Sequence, residues 1–182
     1  VTVQKTGNVL ARLPGTSRGN RPKLLIQGHA DEIGCVVKSI DDRGFVWLAT
    51  AQAGAMNPQH RYPVGQPALI LGRDGQPIPG LFATITGHIL VTRPDKRTLE
   101  DNDLFVDLGV DSRQEAEALG VHVGASVIWN PPARRFGHRY VSKAIDDRVA
   151  LALMTHLLAE VAADPSALAY DLTIAATVQE EI

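Results

Sequence analysis

Leu24-Leu25-Ile26-Gln27-Gly28-His29-Ala30-Asp31-Glu32 is an apolar run that ends on a histidine and two acids. A second run, Leu172 through Val178, ends in the same manner on Glu180 and Glu181. Short runs of this kind suit buried parallel strands, and an α/β protein places its chemistry at the carboxyl ends of such strands. A third motif, Asp146-Asp147-Arg148, stands at the head of a helical pattern. Together the three predict an α/β fold with its functional groups gathered at one end of a sheet. Imidazole and carboxylate are donors that zinc and similar divalent ions accept, so the pattern is that of a metal-dependent hydrolase.

The rest of the composition narrows the choice. A chain of 182 residues, 45% of them hydrophobic, fits one ordinary domain or two small ones. Eighteen basic and 20 acidic residues give a net charge of -2, without the basic excess of a nucleic-acid footprint. Cys35 is the single cysteine, so no internal disulfide can form, and no secretory pattern opens the sequence. A cytoplasmic protein is expected. No apolar stretch reaches the roughly 20 residues that a membrane helix needs, so no membrane partner is expected.

Outward from the first motif, Val1 to Leu13 alternates around Gly7-Asn8 as a hairpin would, and residues 14–22 form a polar turn. From Cys35 to about Ile128 short β-like runs follow one another: Gly34 to Val37, Phe45 to Leu48, Ala68 to Leu71, Leu81 to Ile85 and Ile89 to Val91. Such spacing predicts a small barrel or sandwich. Within it, Ser112 and Glu115 make a capping box for a helix over Arg113 to Leu119, ended by Gly120. After Pro131-Pro132, Val149, Leu151 to Met154, Leu157, Leu158 and Val161 predict a helix from about Asp147 to Ala162. Tyr170 to Val178 then reads as a central strand covered on both faces. Residues 1–35 and 138–182 therefore form one α/β domain, with a β-rich domain over 36–137 inserted between them.

Each motif also has a plain structural reading. A histidine beside two acids can be a hydrogen-bonded residue at a strand end, and an acidic pair can be the solvated exit of a strand. Asp146 and Asp147 at a helix start are favoured by the macrodipole without any metal, and Arg148 can pair with either. Adjacent strand side chains point to opposite sides, so Glu180 and Glu181 are expected to play separate roles, one as ligand and one as general base.

His29-Ala30-Asp31-Glu32-Ile33-Gly34, Lys143 through Arg148 and Val178-Gln179-Glu180-Glu181 resemble, in order and spacing, the motifs of the M42 family of dinuclear metalloaminopeptidases. Pro79-Gly80-Leu81, Gly87-His88, Asp103 through Gly109 and Ser112 through Gly124 extend the resemblance over almost the whole chain. It implies a zinc-peptidase-like α/β domain with an inserted barrel or PDZ-like dimerisation domain. It implies two divalent ions, zinc or cobalt, with His29 binding one, Asp146 bridging both and Glu181 binding the other. By the same resemblance Glu180 is the general base and Asp31 hydrogen-bonds the His29 ring, fixing its tautomer. Peptides are the implied substrates, and a homo-oligomer, dimers assembling to a dodecamer, the implied state.

The resemblance also marks a departure. M42 members use a further aspartate and histidine after the Glu-Glu motif, so each ion would keep two protein ligands from these residues. A truncated chain, weak in metal binding and inactive alone, is the expectation, its sheet left with an open edge and one uncovered face. His60, His122, His138 and His156 are read as structural or surface residues, His88 is not assigned to the metal, and Cys35 is read as a small buried residue. A noncatalytic assembly module is the rival reading. Glycoside hydrolysis ranks low, because it needs carboxyl groups opposed across about 5–10 Å, which neighbouring glutamates on a strand do not offer.

Overall fold

The computed structural model describes residues 1–17, 19–50, 64–85 and 103–181. They divide into two compact units, Val1–Glu32 with Ala144–Ile182, and Ile33–Lys143. Residues 33–35 and 138–143, grouped by sequence with the outer segments, lie in the second unit. The run Ile89 to Val91, like His60 and His88, is outside the described residues.

The first unit is built on a mixed sheet of four strands, β1 (Thr2–Val3), β2 (Val9–Leu13), β3 (Lys23–His29) and β12 (Asp171–Thr177). Their order is β1-β2-β12-β3, with β12 antiparallel to β2 and parallel to β3. β1 and β2 make the expected hairpin. Asp171 ties the start of β12 to the turn before β3, accepting the Gly15 amide at 2.9 Å and pairing with Arg21 at 2.8 Å.

Helix α2 (Ile145–Ala163) lies on one face of the sheet, where Met154 joins Ala11, Leu172 and Ile174 in a buried cluster flanked by Leu13, Ile26, Leu151, Leu157 and Leu158. Its apolar residues cover more than that face: Val149 and Leu153 are exposed. β12 is central within the sheet, with Leu172, Ile174 and Ala175 buried and Asp171, Thr173 and Ala176 half-buried. Packing of α2 accounts for the face that carries Leu172 and Ile174, while Ala175 on the opposite face is buried as well. On β3, an edge strand, Leu24 and Leu25 are exposed.

The second unit is a closed antiparallel barrel in the order β4-β5-β8-β7-β6-β9. Its strands are β4 (Cys35–Ile40), β5 (Val46–Thr50), β6 (Pro67–Leu71), β7 (Pro77–Thr84), β8 (Leu104–Asp107) and β9 (Ser126–Trp129). Pro77 and Pro79 would break a fully paired strand, but that half of β7 pairs with β6 alone, and β8 joins it only from Leu81. Val37, Val46, Ile70, Phe82, Val106 and Val127 fill the interior, each worth about 1.5–3 kcal/mol of burial.

Helix α1 (Arg113–Ala118) starts where the sequence indicates, with the Ser112 hydroxyl accepting the Glu115 amide at 3.3 Å. The Glu115 carboxylate accepts from Asp111 rather than from Ser112. Gly120, at φ 100°, ends the helix in the left-handed conformation that glycine adopts freely. A two-stranded ribbon, β10 (Arg134–Phe136) with β11 (Arg139–Val141), completes this unit among the described residues.

Candidate metal centre

Parallel pairing of β3 with β12 fixes the site. The register runs from Asp171↔Lys23 to Thr177↔His29, so both strands finish at the same level. One further bond, Ala30 N–H to the Thr177 carbonyl at 2.7 Å, carries the pairing past the strands. Beyond it the chain turns: Gln179 sits at φ 69°, in the left-handed region that non-glycine residues seldom adopt.

That turn removes the strand alternation from which opposite orientations were expected. Glu180 and Glu181 lie beyond the strand, so strand alternation does not separate them, and His29, Glu180 and Glu181 offer ligand atoms all within 4.8 Å of one another. A second triad, His29 with Asp146 and Asp147, meets the same limit and shares the imidazole. Asp147, given no role from sequence, thus joins the cluster. Its side chain lies over Gly28, where an added Cβ would come within 2.7 Å of the Asp147 carboxylate and 2.9 Å of Ala150 Cβ.

Asp146 and Asp147 are also not ordinary first-turn helix residues. Their backbone angles, φ -83°, ψ 111° and φ -120°, ψ 34°, are non-helical, and Ala144 before them is left-handed at φ 50°. Regular helix follows them. Arg148 reaches Glu32 at 3.3 Å rather than either aspartate.

The imidazole is the best-buried member. His29 Nδ1 lies 3.2 Å from the Asp31 backbone carbonyl, which can only accept, so Nδ1 is placed to donate and Nε2 is the nitrogen turned toward the acids. Nε2 faces Asp146 Oδ1 at 3.2 Å and Glu180 Oε2 at 3.9 Å. Two donors on one zinc-like ion, each at about 2.0–2.2 Å from it, lie about 3–3.5 Å apart, and the His29–Asp146 spacing falls there. A proton on Nε2 satisfies this pair without metal, and the imidazole and carboxylates grouped here are also donors of the kind a divalent ion accepts.

Protonation equilibria carry the same signature. For His29, burial alone would lower the pKa, but Asp146, the Asp31 carbonyl and the negative charge of Glu180 and Asp31 outweigh it and raise it. Glu181 is pushed up by burial and then by the neighbouring charge of Glu180, Asp146 and Asp31, against a lowering by His29. For Asp31, burial works upward, yet the amides of Glu181, Asp31 itself and Glu180 hold the carboxyl below its usual range. Asp31 meets the His29 ring twice, its backbone carbonyl 3.2 Å and its carboxylate oxygen 3.6 Å from Nδ1, and the carbonyl is the one within hydrogen-bond range.

His122 and His156 belong to neither ligand group: His122 faces the Gly120 carbonyl, and His156 stands on α2 beside Glu160. Cys35, on β4 of the barrel, is half-buried. No helix among the described residues is long and apolar enough to cross a membrane.

The family model described as M42 glutamyl aminopeptidase matches residues 7–182. The lysyl aminopeptidase of Pyrococcus furiosus is 30% identical over 184 residues, which take in 100% of this chain and 49% of that protein. Among solved structures, the aminopeptidase APDkam598 of Desulfurococcus kamchatkensis superposes with a TM-score of 0.84 at 28% identity, covering 99% of this chain and 46% of that one. The TET aminopeptidase of Thaumarchaeota archaeon SCGC AB-539-E09 gives a TM-score of 0.81 at 30% identity, covering 100% of this chain and 49% of the other. The chain spans about half the length of these relatives.

Proposed function

The chain belongs to the M42 glutamyl aminopeptidase family, and on that premise we propose that it carries the cation-binding core of a metal-dependent aminopeptidase that removes N-terminal residues from peptides. The observation that carries this is the approach of His29 Nε2 to Asp146 Oδ1 at 3.2 Å, with Glu180 and Glu181 on the same imidazole. His29 and Asp146 would hold one divalent ion, and Asp146 with Glu181 would hold a second. Zinc and cobalt both suit such donors. When bound, the ions supply Lewis acidity, lowering the pKa of a water and polarising the scissile carbonyl. Glu180, exposed at the rim, takes the water proton and hands it to the departing amine. The Asp31 carbonyl holds the His29 tautomer that keeps Nε2 free to bind.

On this assignment each ion receives two donors from these residues, one fewer than the usual three protein ligands of a catalytic zinc site. Two donors make a weak zinc site, so these residues by themselves are expected to hold metal weakly. That donor count is also what favours the second reading, a noncatalytic assembly module. The barrel unit, the proposed oligomerisation domain, exposes Leu71, Leu81, Leu119 and Val123, which supports a homo-oligomer.

Aminoacyl-anilide cleavage by the intact protein, with zinc or cobalt restored after chelation, decides between the two readings. Glu180→Gln is expected to lower kcat about 10²–10⁴-fold while divalent-ion binding by calorimetry persists. Unchanged turnover in that variant, or activity indifferent to chelation, would sink the proposal. Light scattering on the same protein tests assembly, and a strict monomer would remove that part.

A further inference from the structure

Glu180 and Glu181 reach the same imidazole only because the chain leaves β12 through a turn, and one side chain holds that turn. Asp31 Oδ2 accepts two successive backbone amides, Glu180 N–H and Glu181 N–H, each at 3.0 Å. Consecutive amides converging on one anion form a small anion-binding nest, here filled by a carboxylate of the same chain. Gln179, left-handed at φ 69°, immediately precedes the two amides. Val178 is fixed separately, its amide donating to Asn8 Oδ1 at 2.9 Å.

The other half of the Asp31 carboxylate acts on His29 through its charge and makes no hydrogen bond to the ring. Oδ1 is 3.6 Å from Nδ1, beyond hydrogen-bond range, and this buried oxygen has no hydrogen-bond partner among the described residues. The ring proton is already taken by the Asp31 backbone carbonyl at 3.2 Å. Backbone and side chain of one residue thus serve different parts of the site.

We propose that Asp31 is a positioning residue for the Glu180–Glu181 pair, its carboxylate clamping their two amides so that both side chains face His29. The proposal rests on the functional reading above, in which Glu180 is the base and Glu181 a ligand. Had the chain continued as a strand, the two glutamates would have pointed to opposite faces. The clamp thereby allows one acidic pair to supply two roles at one place. What it requires of residue 31 is an acceptor oxygen of the right reach; charge is secondary.

Two variants of the intact protein separate this from an electrostatic role toward His29. Asp31→Asn keeps an acceptor oxygen and removes the charge; Asp31→Ala removes both. In the metal-free protein, hydrogen exchange read by NMR should show the Glu180 and Glu181 amides protected in wild type and in Asp31→Asn, and exchanging freely in Asp31→Ala. With metal restored, kcat should fall about 10–100-fold in Asp31→Ala, and Asp31→Asn should recover most of it. The proposal is overturned if Asp31→Asn loses as much kcat as Asp31→Ala while its two amides stay protected, since the charge would then be what matters. It is equally overturned if either amide is unprotected in wild type. Asp31→Asn is isosteric and carries the test even if the alanine variant fails to fold. Exchange is read without metal or substrate, so an inactive wild type would count against the peptidase reading and leave the clamp standing.

Discussion

The barrel and the sheet unit solve the problem of burial differently. In the barrel every strand of the ring has two neighbours, and Val46, Ile70, Val106 and Val127 are wholly removed from solvent. In the sheet unit β3 is an edge, Leu25 on it is 58% exposed, and the buried cluster consists of Ala11, Met154, Leu172 and Ile174. Closure removes edges and needs no outside cover, whereas an open sheet with a helix on one face leaves backbone groups and apolar surface to water. The candidate chemistry sits in the less self-contained unit. Carboxylates and an imidazole must converge with room for an ion and a substrate, which a filled barrel interior does not provide.

The largest test of that contrast is in the barrel. Phe82 is 1% exposed, and Phe82→Ala should cost about 3–5 kcal/mol. Both tryptophans, Trp47 and Trp129, lie in barrel strands, so denaturant unfolding followed by their fluorescence reports on this unit. A loss under 1 kcal/mol, on the order expected of a surface site, would refute a core closed on itself. Next in size is Gly28→Ala in the sheet unit, where the new Cβ would press on Asp147 and Ala150. Overpacking of this kind costs about 1–3 kcal/mol, and displacement of Asp147 should shift its neighbour Asp146, the proposed ligand, and so weaken zinc affinity in a calorimetric titration. Unaltered affinity would remove Asp147 from the cluster.

Smaller effects sharpen the picture at the barrel's edges. Ser112→Ala deletes the cap of α1 and should lower stability by about 1 kcal/mol in the same fluorescence assay, with no change in metal binding. The smallest effect is a pH dependence from Asp41. Burial would raise its pKa, but hydrogen bonds from the Trp47 indole and the Phe45 and Arg43 amides, with the charge of Arg43, hold it below the ordinary value. A carboxyl depressed by folding stabilises fully above its unfolded pKa of about 3.9 and loses that contribution as pH falls through the folded value. Barrel stability measured from pH 6 downward should therefore drop faster in wild type than in Asp41→Asn, and parallel curves would contradict it.

How much of this was legible follows from the range of each interaction. The capped helix at Ser112 and the strand ends at His29 and Glu180 depend on neighbours a few residues away, and the sequence states them. Ring closure of the barrel does not: β4 pairs with β9 some ninety residues on, and apolar runs alone fit a sandwich as well. The role of Asp147 was hidden because two acids before a helical pattern look like a helix start, and only the non-helical angles at 146 and 147 show otherwise. The shared position of Glu180 and Glu181 was hidden for a related reason. Gln179 carries no sequence mark of a left-handed residue, which glycine or asparagine would have given.

The sequence by itself determined which groups are present and that apolar runs deliver them to strand ends, because side-chain chemistry and hydrophobic periodicity are local properties. Only the tertiary structure decided which of those groups meet. Parallel register between β3 and β12, the turn at Gln179 and the grip of Asp31 on two amides are contacts between residues up to 150 positions apart. Such contacts are set by packing and hydrogen bonding across the fold, and no pattern along the chain encodes them.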